Sequence, residues 1–436
     1  MRPLRLLIVA ALSLAGCTAA EVRDCGDGLF VADDGKAFCG YCTADTSRCE
    51  GGVATMGTGV VVCAPSASPA AVSALATTCA SRPDGGGVDG GRDGGPAGSL
   101  TSLTAGSAHT CLIAGERAYC WGDDGRMQRG SPGPIAMPVT QPLTSIVAGV
   151  EHTCVQTTGG ETLCFGRNAE GQLGTDSGVD SAEPFRIGAG LGQLAAGEQH
   201  TLAIDGADVV GWGTNLFGIL GENLLGERVA PVGPVVQGRG YTALASSVYH
   251  ACGLTGGGAV DCWGANAYAQ VGETGGNRTT PFRVVPSDAT AVTTGSAHSC
   301  AIVMGQIQCW GMQRYDDEFG PELRNYPLPV DVTARSLAGG WQHTCALTDD
   351  DRVFCWGTND AGQLGDSTFD ERRAPVEVAW EGTAPRIRAI AAGSRHTCAL
   401  AMDDAVYCWG ANDAGQLGVD TSGVARERPQ RLTPAW

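Results

Sequence analysis

Positive charge is what this sequence has least of. Its 436 residues include 28 Lys or Arg against 46 Asp or Glu, for a formal net charge of −18, and Lys36 is the single lysine. A chain this acidic does not hold a phosphate backbone by charge, so nucleic acid is not an expected partner. Long hydrophobic runs are missing too: no uninterrupted apolar stretch approaches the roughly 20 residues of a membrane-spanning helix. Helix-length segments free of Gly and Pro are also scarce, which argues against a helical bundle.

Glycine and cysteine are abundant, at 66 and 19 residues. At roughly 100–200 residues per domain, the length fits two or three domains or one large repeat array. Residues 1–16 read as an address. Arg2 and Arg5 form a short basic segment, Leu6 to Leu14 an apolar core, and Leu14-Ala15-Gly16-Cys17 a small-residue cleavage site. Leu-Ala-Gly-Cys resembles the bacterial lipobox. The resemblance implies that Cys17 carries lipid and anchors the mature protein to a membrane without spanning it. An ordinary signal peptide that ends near a cysteine is the plainer alternative. Thr18, where an inner-membrane retention signal would place Asp, implies an outer-membrane or cell-surface address.

Without Cys17, eighteen cysteines remain, an even number suited to an oxidising compartment. Six lie early, at Cys25, Cys39, Cys42, Cys49, Cys63 and Cys79, in a module over 17–83. Three disulfides would compensate for its small core, and six cysteines leave fifteen connectivities open. Cys39-Gly-Tyr-Cys42 is half of a zinc pattern without a histidine nearby, so no metal is expected there. Residues 84–99, rich in Gly and Asp, read as a flexible linker.

After residue 100 a period of about 48 residues dominates. Histidine recurs at His109, His152, His200, His250, His298, His343 and His396, generally before Thr-Cys. An aromatic-Gly pair follows each, at Trp121, Phe165, Trp212, Trp263, Trp310, Trp356 and Trp409. Most copies continue into Asn-x-x-Gly-Gln-Leu-Gly, as at Asn168–Gly174, Asn359–Gly365 and Asn412–Gly418. Short apolar or alternating runs closed by Gly, Pro, Asn and Asp are strand chemistry. A four-stranded unit of roughly 40–50 residues cannot bury its faces alone, so the units must stack. The expected fold is all-β, a seven-bladed propeller over 100–436. Neither end carries a polar capping repeat, which favours a closed ring over a solenoid. Closure places 100–104 and 429–436 in one sheet or in neighbouring blades.

The twelve later cysteines pair nine or ten positions apart: Cys111/Cys120, Cys154/Cys164, Cys252/Cys262, Cys300/Cys309, Cys345/Cys355 and Cys398/Cys408. One follows the histidine and the other precedes the aromatic, so a tight turn sets them opposite each other. Cross-strand Cα separations of ~4.5–5.5 Å fall within disulfide reach. In repeat three Leu202 and Gly211 replace both partners at once, as a shared bond predicts.

The His-Thr-x-Ala-Leu, Trp-Gly and Asn-x-x-Gly-Gln-Leu-Gly signatures resemble the regulator of chromosome condensation repeat, and the resemblance covers about 337 residues. It implies the seven-bladed propeller and leaves function open, because the fold hosts several. Members include a nuclear exchange factor for a small GTPase, ligases, channel regulators and a secreted β-lactamase inhibitor. The export signal, acidity and paired cysteines depart from the exchange factor and argue against chromatin binding.

Histidine recurrence points to a structural role, one imidazole per blade bonded to nearby backbone, and leaves none for a catalytic triad. The Trp-Gly pairs read as packing between blades. Asp349-Asp350-Asp351 and Asp403-Asp404 read as solvated hairpin tips. No calcium loop is present, and no pair of carboxylates is singled out for glycosidase chemistry. No catalytic residue and no cofactor are expected. Irregular repeats offer better candidates: Tyr315, Phe319 and Tyr326 in repeat five, Phe217 in repeat three and Tyr268 in repeat four. Aromatics on the loops of a rigid scaffold resemble binding hot spots. The expected molecule is a monomeric, lipid-anchored, extracytoplasmic protein-binding or scaffold protein. A guanine-nucleotide exchange factor and a secreted hydrolase are the alternatives.

Overall fold

In a computed structural model the chain divides into two compact units, Met1–Asp93 and Gly94–Trp436. The first is described at Val22–Gly26, Leu29–Ala32, Ala37–Cys39, Val53–Thr55 and Val61–Cys63. The second is described from Leu100 to Leu432, apart from 127–134, 137–138, 140, 222–227, 313–319, 327, 330–331 and 420–422. Cys17, Cys42, Cys49, Cys79 and the 84–99 segment lie outside the described residues. The five strands of the first unit form an antiparallel sheet in which Val61–Cys63 lies between Ala37–Cys39 and Val53–Thr55.

The second unit is a ring of seven four-stranded antiparallel sheets, each made of four consecutive strands. Blade 2 shows the pattern, with Leu143–Ala148 innermost, then His152–Thr157, Glu161–Gly166 and Ser181–Ala189 at the rim. The second strand is buried along its whole length in blades 1, 6 and 7. Neighbouring blades cover both of its faces, so it reads as a continuous apolar run, whereas the rim strand stays half-exposed.

Register carries the repeat into space. His152 pairs with Gly166, Thr153 with Phe165 and Cys154 with Cys164, and the same triple recurs in the other disulfide-bearing blades. Six disulfides join these opposed positions, Cys111–Cys120, Cys154–Cys164, Cys252–Cys262, Cys300–Cys309, Cys345–Cys355 and Cys398–Cys408. Their Cα separations of 4.0–4.1 Å are shorter than those of an unbridged cross-strand pair. In blade 3 Leu202 faces Gly211 in the same register. A Cβ on Gly211 would sit 2.8 Å from the Leu202 Cδ2 and 2.7 Å from the Leu220 Cδ2, so the leucines fill the volume a disulfide takes elsewhere.

The ring closes without strand exchange. Blade 1 packs directly on blade 7, with Leu100, Leu112 and Trp121 sharing a core with Leu400, Leu417 and Leu432. The indole N–H of Trp121 donates to the Gln416 carbonyl at 2.9 Å, and the Ser394 N–H to the Ser107 carbonyl at 3.2 Å. Leu100–Ala105 and Arg426–Arg431 thus lie in neighbouring blades.

Candidate functional site

The histidines form a belt between blades. Each Nε2 meets a hydroxyl of the next blade: His109 with Thr153, His152 with Thr201, His250 with Ser299, His298 with Thr344, His343 with Thr397 and His396 with Thr110, at 2.8–3.0 Å. These partners are side chains across a seam, not the nearby backbone expected from the sequence. Blade 4 has Ala251 where the hydroxyl would stand, and His200 turns to Ser246 at 2.7 Å. Thr201 gives its own proton to the Gln172 carbonyl, and Thr110, Ser299 and Thr397 do likewise to Gln416, Gln270 and Gln363. Those four hydroxyls therefore accept from Nε2–H, which sets the tautomer.

Burial drives the imidazole pKa down to about 3 for His152, His200, His250, His343 and His396 and to about 4 for His298. A neutral, enclosed imidazole is a structural group and has no access to a substrate proton. The tryptophans belong to the same seams, since Trp212, Trp310 and Trp409 donate to the same glutamine carbonyls at 2.9 Å. The Asn-x-x-Gly-Gln-Leu-Gly loop presents that carbonyl. Its Asn side chain accepts from the Leu N–H five residues on, as Asn168 does from Leu173 at 3.0 Å.

One end of the ring, here the upper face, carries the turns between first and second strands and the long loops after the third. All seven blades converge there on an axial cavity of about 80 Å³, bordered by Gly106, Gly149, Gly197, Ser247, Trp341 and Gly393. It is too small for the roughly 300–1,000 Å³ of an ordinary small-molecule site. Among the described residues, no group of three His, Cys, Asp or Glu side chains could hold a metal.

The candidate residues separate. Tyr268, 40% exposed, stands on the upper face in the blade 4 loop, where its N–H donates to the Gln270 side chain at 2.9 Å. Phe217 is half-buried, its ring 4.6 Å from that of Tyr249 and tilted by 51°. Tyr315 and Phe319 lie outside the described residues. Tyr326 does not share their loop: it ends the rim strand Gly320–Tyr326 and pairs with Ile307, whereas Gly320 pairs with Gly311 at the upper end. Six residue steps at roughly 3.3 Å carry it to the opposite face.

Upper-face residues not singled out in the sequence are Leu216, 55% exposed, Trp341, 40% exposed, and the half-buried Tyr249 and Glu198. Tyr249 stands just before a repeat histidine, where other blades hold Ala108, Glu151 or Gln199, and Trp341 two before, where others hold Ser107, Val150 or Glu198. Comparison of those positions could have found Tyr249. Exposed aliphatic side chains also stand on the upper loops of blades 2 and 7, at Val179 and Val424, but the exposed aromatics described on this face, Tyr268, Trp341 and Phe369, are confined to blades 4 and 6. The Arg167 guanidinium donates to Glu151 at 2.7 Å.

On the lower face, two hairpin aspartates correct the sequence reading. Asp351 is buried, with a positive φ of 67°, and accepts from Arg335 and Arg386 at 2.7 Å each. These guanidiniums hold its carboxyl below the usual range. Asp404 pairs with Arg388. Asp351 and Asp404 are therefore clamped to their neighbours, while Asp349, Asp350 and Asp403 stay exposed, as the sequence reading has them.

Comparison with known proteins agrees with this geometry. A model of the regulator of chromosome condensation (RCC1) repeat matches residues 159–204, 350–400 and 403–435, and a second model of that repeat matches 241–270, 334–363 and 387–416. The chain is 28% identical over 363 residues to the ultraviolet-B receptor UVR8 of Arabidopsis thaliana, covering 75% of this chain and 80% of the plant protein. It is 27% identical over 341 residues to the secretion-regulating guanine nucleotide exchange factor of Mus musculus, covering 67% and 72%. Yeast RCC1 (Prp20), solved bound to Kap60, superposes with a TM-score of 0.65 at 21% identity, over 78% of this chain and 85% of that one. The two RCC1-repeat models together match parts of blades 2, 3, 4, 6 and 7 of this chain.

Proposed function

We propose that the protein is a non-enzymatic binding protein, lipid-anchored outside the cytoplasm, that holds a protein partner on the upper face of its propeller. The carrying observation is the uneven placement of exposed aromatics: among the described residues of the upper face they are Tyr268, Trp341 and Phe369, on blades 4 and 6, with Leu216 exposed on blade 3. Large apolar side chains on rigid turns are hot-spot chemistry. The tightly enclosed histidines and the small axial cavity favour recognition over catalysis.

A photo-crosslinking amino acid placed at Tyr268 or at Met402, on the lower face, of the full-length protein in its host membrane tests the face. Adducts are expected from position 268, lost when Leu216 and Trp341 become Ser with the melting temperature retained. Adducts from position 402 alone would overturn the assignment. The anchor is tested separately by metabolic lipid labelling, which Cys17→Ser is expected to abolish together with membrane retention. The similarity to a mouse exchange factor supports a second reading, regulation of a small GTPase. Accelerated release of labelled GDP from a GTPase by the purified protein would favour it.

A further inference from the structure

We propose that the upper face between blades 2 and 4 seats an arginine side chain of the protein partner, stacked on the Phe217–Tyr249 ring pair and paired with Glu198. The inference rests on the upper-face reading above and names the chemistry the partner must present. Three turns meet here. Glu198 lies in the blade 3 turn and Tyr249 in the equivalent turn of blade 4, while Phe217 comes from the long loop of blade 3. The Phe217 and Tyr249 rings are 4.6 Å apart, and Leu216 beside Phe217 is exposed.

Charge is out of balance at this place. Arg167 is committed to Glu151 at 2.7 Å, and Glu198 is the second carboxylate near that single guanidinium. The Tyr249 hydroxyl donates to Glu198, yet burial, with the Glu151 charge adding to it, pushes the Glu198 carboxyl upward. A half-buried carboxylate with a shared counterion gains from a further cation. The flanking ring faces select among cations, because a planar guanidinium stacks on an aromatic face while directing its fork to a carboxylate. A lysine ammonium is more strongly hydrated and lacks that plane, so it fits less well.

The test uses the full-length protein in detergent micelles and a synthetic nonapeptide with three arginines spaced by serines. Matched peptides carry lysine or the neutral isostere citrulline. Titration calorimetry at roughly 0.15 M salt keeps general attraction to an acidic protein screened. The arginine peptide is expected to bind one to one, with the lysine peptide weaker. Citrulline, or Glu198→Gln in the protein, should each cost at least about tenfold in affinity. Glu381→Gln, an exposed carboxylate away from the face, should change nothing. Leu216→Ser provides a second variant should Glu198→Gln melt early, and a several-fold loss is expected. No binding by the unmodified protein, equal binding of the citrulline peptide, or Glu198→Gln within twofold of the parent would overturn the arginine seat. Continued crosslinking from position 268 in Glu198→Gln would then show the face reading standing without it.

Discussion

A buried neutral imidazole makes stability depend on pH in one direction. Six of the belt histidines hold pKa values of about 3 or 4, against 6.5 for an exposed imidazole. Below pH 6.5 the unfolded chain binds protons that the folded chain refuses. Stability is therefore complete above about pH 6.5 and declines as pH falls toward 3–4, by up to about 1.4 kcal/mol per pH unit for each histidine. Urea midpoints should be level from pH 8 to 7 and drop steeply between 6.5 and 5, where carboxylates still hold their charge. Equal midpoints at pH 7.5 and 5 would refute the neutral belt. A glycine three residues before six of the seven histidines is part of the same device; blade 4 has Ser247 before His250. A Cβ on Gly393 would stand 2.2 Å from the His396 Cε1 and 2.4 Å from the Gly106 carbonyl of blade 1. Since that carbonyl belongs to backbone, Gly393→Ala is expected to cost about 1–3 kcal/mol in denaturant titration, although blade 4 accommodates Ser247 at the same place.

At the scale of elements, the disulfides and the rim strands do separate work. Disulfide sulfurs lie inside the blade, so the bond constrains the hairpin and offers nothing to a partner. Blade 3 keeps the register and lacks the bond. Leu202→Cys with Gly211→Cys should form a seventh bridge there, adding up to roughly 2–3 kcal/mol to stability, less whatever is lost in Leu202 packing and in shifting the Leu220 side chain, which stands 2.7 Å from the added Cβ. Peptide mapping and melting under non-reducing conditions check it, and a doubly reduced product would show the register unsuited. At the rim, the outer strands of blades 2 to 7 each contain proline: Pro184, Pro231 and Pro234, Pro281, Pro321, Pro375 and Pro429. A missing N–H on an outer edge blocks strand addition by another molecule. Replacing Pro184, Pro281 and Pro429 together by Val should leave the melting temperature nearly unchanged while raising the aggregation rate measured by light scattering.

The whole molecule depends on a seam where the two ends of the ring meet without a shared sheet. No strand pairing joins blades 7 and 1; they are held chiefly by Trp121, Leu100 and Leu432, the Thr110–His396 contact at 2.8 Å and the Ser394 N–H bond to the Ser107 carbonyl. Trp121→Ala removes a buried indole and its hydrogen bond, with an expected cost of about 3–5 kcal/mol. Hydrogen exchange should then quicken first in blades 1 and 7, whereas uniform quickening around the ring would mean that the seam is no weaker than the other six. The amino-acid sequence by itself determined the seven repeats, the strand chemistry of each and the disulfide partners. Those depend on spacing within a hairpin, and local spacing survives in one dimension. The destinations of the side chains were decided by the tertiary structure. The imidazoles reach hydroxyls some 44–54 residues away, and for His396 and Thr110 the gap is 286, because only ring closure sets one blade against the next. Asp351 passed for a solvated tip because Arg386, 35 residues further on, comes from the following blade. Tyr326 passed for a loop residue because the rim strand begins only at Gly320, past an irregular stretch without the repeat signature. Tyr249 and Glu198, 51 positions apart in the chain, became neighbours for the same reason as the histidines and their hydroxyls: one period of the repeat is one step around the ring.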